Sequence, residues 1–403
     1  MKRLSICLLI ILAAISLSPV FASADATPIT PDSSAAYSSL YKGFTPTSPR
    51  RQGMGNAGLA IASGSDSLFY NPAGLASKRA VVQLPSVGVT VYNPYKILTE
   101  GVIDKVKDAV DTGSYTDLIG PIEELYGTGL SKVADIDAAA GFSAGGFALA
   151  LNVKDSIHTY NISSNGGVFD QLNASLSIGY GARINIASNF SIDLGAAARF
   201  NYLAYSDLID VSDVLTALSD EDLPATLKKI NLMAGYSFPI DIGLNINLPL
   251  NFKIGVVARN LNGKMYMTSF ENYEALMKSP FNGSSKFNFN TDWSLDAGFA
   301  WQWKNKLFSP AIAIDVVDTV GLFSNKLDAR SIISHINAGA EIRLLSFLDV
   351  RGGFNQGYWT LGAGLDIFVI KMDVAYFWQE LGKTAGANPV DGLSVKFNIG
   401  WDR

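Results

Sequence analysis

The 403-residue sequence is poor in the side chains on which many enzymes depend. It contains one cysteine, Cys7, and two histidines, His158 and His335. Thiol catalysis and a thiolate metal site therefore have no basis in the exported part of the chain. Neither histidine accompanies a nucleophile motif such as G-x-S-x-G. We accordingly expect no enzymatic activity, no metal site and no cofactor.

Charged residues and long apolar runs are also scarce. Only 17% of the residues are charged, although 48% are hydrophobic. The central and C-terminal parts contain no unbroken apolar run that is long enough for a helical membrane span. The formal net charge of -5 provides no basic surface for nucleic acid, so we expect no nucleic-acid partner.

The first 24 residues have the pattern of a signal peptide. Lys2 and Arg3 precede the apolar stretch Leu4–Val20, and Ala22-Ser23-Ala24 forms an A-x-A cleavage site. We predict cleavage before Asp25. Removal of this segment also removes the only cysteine, so the exported chain has to be stable without a disulfide.

From Ala80 onward, apolar and polar residues alternate with a period of two. In Leu172–Ile186 every second residue is apolar or aromatic, and the residues between them are polar or glycine. Alternation places one face of a strand in an apolar environment and the other in a polar one. Strands of soluble proteins average about five or six residues, whereas membrane strands need roughly nine to eleven. The length of the pattern therefore favours membrane strands.

Repetition of this pattern predicts an all-β fold, a transmembrane antiparallel β-barrel of about fourteen strands in residues 80–403. Long connections alternate with tight turns, apart from the stretch Pro239–Leu248, as in bacterial outer-membrane barrels. Three long connections have helix-like patterns, at Ile97–Val110, Val211–Leu223 and Tyr273–Met277, which are either surface decoration or a hydrophobic landing site at the mouth. The predicted strands are 80–92, 133–142, 145–164, 168–186, 189–204, 226–239, 249–261, 291–304, 308–318, 331–345, 347–356, 358–370, 371–380 and 391–402.

A glycine-rich block, Gly53–Leu75, precedes the strands. Gly53, Gly55 and Gly58 match G-x-G-x-x-G, which can mark a dinucleotide-binding turn. That function requires a strand before the motif and an acidic residue about 20 positions after it. The residues before Gly53 are rich in proline and serine, and Lys78 follows at the position of the acid. The glycines are therefore better explained by close backbone packing.

The same block carries a resemblance to a known family. The segment GMGNAG, followed by FYNPAGLA at Phe69–Ala76, resembles the FadL/TodX family of outer-membrane transporters of hydrophobic compounds and its PorV-like secretion relatives. The resemblance implies that residues 25–79 form a lead-in and a hatch that closes the barrel. It implies that Asn71, Pro72 and Ala73 belong to the hatch motif, together with the three glycines.

The resemblance also implies a function. Long-chain fatty acids would be taken up passively and leave sideways beside a kinked strand, for which Gly145, Gly146 and Asp155 are candidates. The partners would be outer-membrane lipid and a hydrophobic ligand, and we expect a monomer. Two alternatives stay open, namely a scaffold or shuttle for protein secretion and a general porin for polar solutes.

Arginines at inward positions of the predicted strands allow two interpretations. They can form a mutually neutralised polar lumen with the inward acids. Alternatively, one of them can bind the carboxylate of a fatty acid. The candidate ligand-binding residues are Arg183, Arg199, Arg259 and Arg343.

Overall fold

A computed structural model describes residues 43–126, 130–160, 167–207, 209–219, 231–305, 307–324, 329–381, 386 and 388–402. They form a closed antiparallel barrel of 14 strands, which confirms the predicted fold class. Among these residues, no helix is long and apolar enough to cross a membrane. The predicted signal peptide and residues 25–42 of the lead-in lie outside the described part of the chain.

The barrel closes because its first strand pairs on both sides. Val87 of β1 lies opposite Ala138 of β2 and also opposite Phe397 of β14. Three strands consist of two segments each. The strands are β1 Val81–Tyr92, β2 Leu130–Ala144, β3 Phe147–Tyr160, β4 Gly167–Ala187, β5 Phe190–Ser206, β6 Leu232–Ser237 with Ile240–Asn247, β7 Phe252–Leu261 with Lys264–Phe270, β8 Lys286–Asn290 with Ser294–Gln302, β9 Phe308–Val316, β10 Ile336–Leu344, β11 Leu348–Asn355, β12 Tyr358–Ile367, β13 Ile370–Glu380 and β14 Pro389–Asp402.

Alternation along each strand separates a lipid-facing surface from the lumen. On β3, Leu149 and Leu151 are exposed on the outside, whereas Ala148 and Ala150 are buried inside. Outward aromatic residues such as Trp359, near one end of β12, fit the girdle of a membrane barrel. The apolar outer surface is therefore the surface that lipid would cover.

The structure corrects two predicted connections. Ile240–Asn247 is the second half of β6 rather than a loop, and it pairs with the same long strand, β5, as the first half. The interruption falls at Phe238-Pro239, where proline cannot donate a backbone hydrogen bond to the sheet. The predicted loop at 262–290 is also wrong in part, because its two ends extend β7 and β8 and pair with each other.

Helices occupy the inside of the barrel and the long connections. The α-helices are α1 Pro49–Gly53, α2 Ser67–Tyr70, α3 Pro94–Thr99, α4 Val102–Thr112, α5 Ile119–Tyr126, α6 Val211–Ser219, α7 Tyr273–Lys278, α8 Thr319–Ser324 and α9 Ala329–Ser334. Single 3₁₀ turns are at Leu59–Ile61, Gly64–Asp66, Pro72–Ser77, Tyr115–Leu118 and Pro249–Asn251. The three helix-like patterns predicted in the long connections are thus confirmed, although residues 220–223 lie outside the described chain.

Long connections gather at one end of the barrel and tight turns at the other, as predicted. Helices α4, α5 and α6 share an apolar cluster at the long-loop end, with Val102, Leu125 and Val211 buried in it. The opposite end has short turns such as Gly145-Gly146 and contains the start of β1. In outer-membrane barrels the short turns face the periplasm, so the short-turn end is the periplasmic end.

Candidate functional site inside the barrel

Residues 44–77, which we call the inner segment, run through the lumen. Ser65 contacts Gly141 of β2, Pro72 contacts Gly195 of β5, and Gly53 contacts Gly362 of β12. These strands lie on different sides of the closed barrel. A segment that contacts all of them has to lie inside it.

Wall glycines allow the backbone of the inner segment to touch the backbone of the strands. A Cβ atom added at Gly53 would lie only 2.8 Å from Cα of Gly362. Any side chain at such a position requires the facing backbone to move. The inner segment therefore packs against the wall without intervening side chains at several points. Glycines whose added Cβ would overlap the inner segment in this way include Gly181, Gly195, Gly339, Gly353 and Gly362.

Polar wall side chains hold the three glycines of the predicted motif. Thr360 Oγ1 accepts a hydrogen bond from Gly55 N at 3.0 Å and donates one to Gly53 O at 3.1 Å. Asp315 Oδ2 accepts from Gly58 N at 2.8 Å and from Leu59 N at 2.9 Å. Gly58 has a φ of 112°, a conformation that residues with a Cβ rarely adopt. The glycines thus provide backbone donors and acceptors for the wall.

The Asn71-Pro72-Ala73 element forms a turn against β6. Asn71 Oδ1 accepts from Ala73 N at 3.0 Å, and Asn71 Nδ2 donates to Asn245 Oδ1 at 2.9 Å. Pro72 then begins the 3₁₀ turn that leads to Ser77. Asn71 is fully buried, and its amide satisfies backbone and wall groups in the way expected of an asparagine at a turn.

An ion-pair network joins the inner segment to strands β10, β11 and β13 of the wall. The Arg50 guanidinium donates to both carboxylate oxygens of Glu341, at 2.8 and 2.7 Å. Arg351 donates to the same carboxylate at 2.7 Å, and also to Asp349 at 2.8 Å and Asp373 at 2.5 Å. The Glu341 carboxylate raises the pKa of the Arg50 guanidinium. The pairing therefore keeps the arginine charged inside the barrel.

A second arginine of the inner segment is held by the segment itself. The Arg51 guanidinium lies 3.6 Å from the centroid of the Tyr70 ring and donates to Gly58 O at 3.0 Å. Burial lowers the pKa of Arg51, and burial raises the pKa of Tyr70 to about 12. The stack ties α1 to α2, so the inner segment is folded back on itself as a compact unit.

The four predicted ligand-binding arginines do not surround a common pocket. Each one is paired with a wall aspartate, and no two pairs join the same two strands. Two of them also donate to carbonyls of the inner segment, Arg199 to that of Leu68 at 3.4 Å and Arg259 to those of Phe69 and Tyr70. This arrangement agrees with a neutralised lumen, and binding of a ligand carboxylate stays a prediction. The pairs are Arg183 with Asp193 at 2.6 Å, Arg199 with Asp241 at 2.5 Å, Arg259 with Asp296 at 2.5 Å and Arg343 with Asp349 at 2.7 Å.

The predicted strand kink is not found at its candidate residues. Gly145 and Gly146 form the two-residue turn between β2 and β3, with φ values of 62° and 97°. Asp155 pairs in regular register with Leu172 of β4. The irregularity lies on the neighbouring strand, where Val133 of β2 is the extra residue of a bulge. Positive φ suits glycine in a tight hairpin, which is why the glycine pair marks the turn.

Both histidines are packed by neighbouring groups. The buried His158 ring stacks on Phe169 with centroids 4.8 Å apart, and its Nδ1 lies 3.1 Å from Ser156 O. His335 Nδ1 lies 2.7 Å from Ser331 O. His158 is thus part of the packed interior, and His335 belongs to the connection before β10.

Two regions of different polarity flank the inner segment. Toward the periplasmic end lies a polar cavity of about 160 Å³, lined in part by Thr47, Ser86 and Lys396. Toward the long-loop end, inward residues of β4–β8 form an apolar cluster. Sequence reasoning missed this cluster because half of it lies where loops were predicted, although the alternation Met265-Tyr266-Met267 was a usable signal. The buried members are Phe169, Leu203, Tyr205, Met233, Met265, Met267 and Phe289.

Comparisons with known proteins give one family match and several similar structures. The sequence model of a family described as "Type IX secretion system membrane protein PorP/SprF" matches residues 134–374, more than half of the chain. The toluene transporter TodX of Pseudomonas putida is 10% identical, covers 89% of this chain and 98% of its own, and has a TM-score of 0.45.

Two further channels are similar to the same degree. The toluene transporter TbuX of Ralstonia pickettii is 14% identical, with 89% of this chain and 98% of that chain covered and a TM-score of 0.44. A FadL homologue of Pseudomonas aeruginosa is 11% identical, with 89% and 99% covered and a TM-score of 0.45. With identities and TM-scores this low, these structures do not assign a function. No curated protein matches the chain.

Proposed function

Because the chain belongs to the type IX secretion system membrane protein family PorP/SprF, we propose that it works in protein secretion as a closed, membrane-anchored scaffold. In this function the barrel holds a component of the secretion apparatus at the outer membrane, and exported polypeptide does not pass through its lumen. The membership agrees with the secretion relatives named in the predicted resemblance.

The observation that carries the proposal is the contact between the inner segment and the wall. Backbone lies against backbone at wall glycines such as Gly195, Gly353 and Gly362. Arg50 and Glu341 add a charged contact on the same side as Thr360. An inner segment packed in this way would block the passage of a folded or extended passenger through the barrel. A scaffold needs only the outside and the two ends of the barrel.

Two measurements test the scaffold. Affinity isolation of the full-length protein from outer membranes should recover components of the type IX apparatus in constant proportion, and the purified protein in planar bilayers should be closed. A large, stable conductance would point to a polar-solute porin instead. The proposal fails if the apparatus is not recovered and secretion is unchanged in a strain that lacks the protein.

The inner segment would then act as the hatch, within a domain that spans residues 25–79 and follows a cleaved signal peptide of residues 1–24. Deletion of Gly53–Leu75 should open a steady conductance in planar bilayers while the barrel still forms. Mass spectrometry of the intact outer-membrane protein should give a chain that starts at Asp25. A start at Met1, or a deleted barrel that stays closed, contradicts the two assignments respectively.

A second candidate function is uptake of hydrophobic compounds such as long-chain fatty acids. The apolar cluster between β4 and β8 favours it, because methionine side chains such as Met233, Met265 and Met267 adapt to ligands of different shape. In this function one of the lumen arginines, for example Arg259, would bind the carboxylate. Purified monomer should then bind oleate and speed its entry into vesicles. Failure of both removes this candidate and leaves the scaffold untouched.

A further inference from the structure

The polar cavity at the periplasmic end has an unusual set of hydrogen-bonding groups. Four of the residues that line it each have a buried side-chain atom without a hydrogen-bond partner among the described residues, namely Thr47 Oγ1, Ser86 Oγ, Asn152 Nδ2 and Asn398 Oδ1. Their residues are 6%, 1%, 5% and 7% exposed. Buried polar groups without a partner are costly and uncommon in native proteins. Their concentration around one cavity makes it suited to binding a polar group.

Three of these groups form a row across the seam at which the barrel closes. Asn398 of β14 lies opposite Ser86 of β1, which lies opposite Ala139 of β2, which in turn lies opposite Asn152 of β3. Ala139 provides no hydrogen-bonding side chain and leaves space in the middle of the row. Adjacent strands are about 4.8 Å apart. The row therefore presents donors and an acceptor across three inter-strand spacings.

The same combination of small and polar residues holds the chain's own backbone elsewhere in the lumen. At β12, Gly362 leaves space, and Thr360 bonds to a backbone carbonyl and a backbone amide of the inner segment. At the seam, Ala139 leaves space, and Ser86 and its neighbours in the row offer the same kinds of group. The wall of the cavity is therefore suited to a further stretch of polypeptide backbone.

Charge in the cavity favours an uncharged ligand. Lys371 pairs with Asp366 at 3.3 Å, and Arg343 pairs with Asp349. Lys396 Nζ donates to Asp137 and to Thr47 O, so it already holds the inner segment. With these cations engaged by acids, the buried lining groups that lack a partner among the described residues are hydroxyls and amides. Peptide groups, which contain one donor and one acceptor each, match them.

From this geometry we infer that the cavity is the docking site for a short, extended and uncharged polar segment of a periplasmic component of the secretion apparatus. The cavity lies at the periplasmic end, because Val81 at the start of β1 and Lys371 beside the β12–β13 turn line it. The inference rests on the proposed scaffold function and adds the place and chemistry of the contact. Backbone hydrogen bonds to the seam would hold the segment beside the inner segment.

Cysteine protection tests the inference in the full-length protein. Ala139→Cys, in a Cys7→Ser background, should react with a water-soluble maleimide in the purified barrel. In opened outer membranes that contain the secretion apparatus, the reaction rate should fall at least about tenfold. Membranes from a strain without the apparatus should restore the fast rate. Equal rates in all three samples overturn the inference and leave a water-filled cavity.

A deletion distinguishes a partner from the chain itself. If residues 25–42 of the same chain fill the cavity, protection will already be present in the purified protein and will disappear when those residues are removed. That result also overturns the inference. Protection that needs the apparatus and survives the deletion supports it.

A matched pair of bulky variants links the cavity to association. Ala139→Trp should reduce recovery of the apparatus at least about tenfold, whereas Ala138→Trp, on the outward face of the same strand, should not. Heat-modifiable mobility on gels checks that both barrels are folded, and the cysteine measurement stands if the first variant does not fold. If wild type recovers the apparatus but both variants do too, only this inference fails. If wild type recovers none, the proposed function itself fails.

Discussion

Removal of the Asp315 carboxylate should release the middle of the inner segment. In Asp315→Ala the backbone amides of Gly58 and Leu59 lose an acceptor that lies 2.8 and 2.9 Å away. A hydrogen bond to a charged group contributes about 1.5 to 3 kcal/mol, so the two together stabilise the closed state by at least about 3 kcal/mol. Because about 1.4 kcal/mol corresponds to a tenfold change in an equilibrium constant, the detached state should become about a hundredfold more populated.

Planar-bilayer recording measures this release as the frequency of brief openings. The control is Asp193→Ala, which also removes an inward carboxylate. Its main partner, Arg183, belongs to the wall and has a side chain that is 37% exposed, so the remaining charge can be hydrated. Asp315→Asn should give an intermediate frequency because its amide oxygen still accepts a hydrogen bond. If Asp315→Ala opens no more often than the control, the carboxylate does not hold the inner segment.

Three other perturbations follow from the same contacts. Gly353→Val should impair assembly of the barrel, because a Cβ there meets the backbone of the inner segment, whereas the neighbouring Gly352→Val has its nearest atoms 3.9 Å away; heat-modifiable mobility distinguishes them, and equal yields of folded barrel would refute the packing. Arg351→Ala should destabilise the barrel by about 3 kcal/mol, because Asp373 loses its arginine while Glu341 and Asp349 keep only Arg50 and Arg343; an unchanged midpoint of urea unfolding in detergent would contradict this. Burial raises the pKa of Tyr70 from 10.0 to about 12, so the closed state favours the neutral phenol. This contribution to the stability of the closed state is fully present below pH 10 and is lost as pH rises toward 12. Openings should therefore increase over that range and lose this dependence in Tyr70→Phe, and an identical pH profile for the variant would rule out Tyr70 as the cause.

The outer shape of the barrel is readable from the sequence, because lipid and lumen impose a period of two along each strand. Leu172–Ile186 shows the pattern without interruption and lies within β4. The pattern does not show that a strand continues beyond an interruption such as Phe238-Pro239. A proline and a change of register there resemble the end of a strand. Local sequence therefore predicted the strands but not which short segments belong to one strand.

The candidate site is harder to read because its partners are distant in sequence. The glycines of Gly53–Leu75 indicated close packing, but the residue that Gly55 meets, Thr360, is 305 positions away. The four arginines pair with inward aspartates, and this pairing depends on the register between strands. The seam with Ser86 and Asn398 joins the two ends of the barrel sequence, so only closure brings those residues together.

The long sequence separation between the inner segment and its wall also determines the order in which the protein can assemble. The segment is synthesised before all 14 strands, but its wall contacts include Glu341, Gly353 and Thr360 on β10–β12. These contacts cannot form until almost the whole sheet exists, and contacts of such long range are slow to form. Once β1 has paired with β14, the segment can no longer enter through the seam. After closure, the segment can reach these contacts only through an end of the barrel.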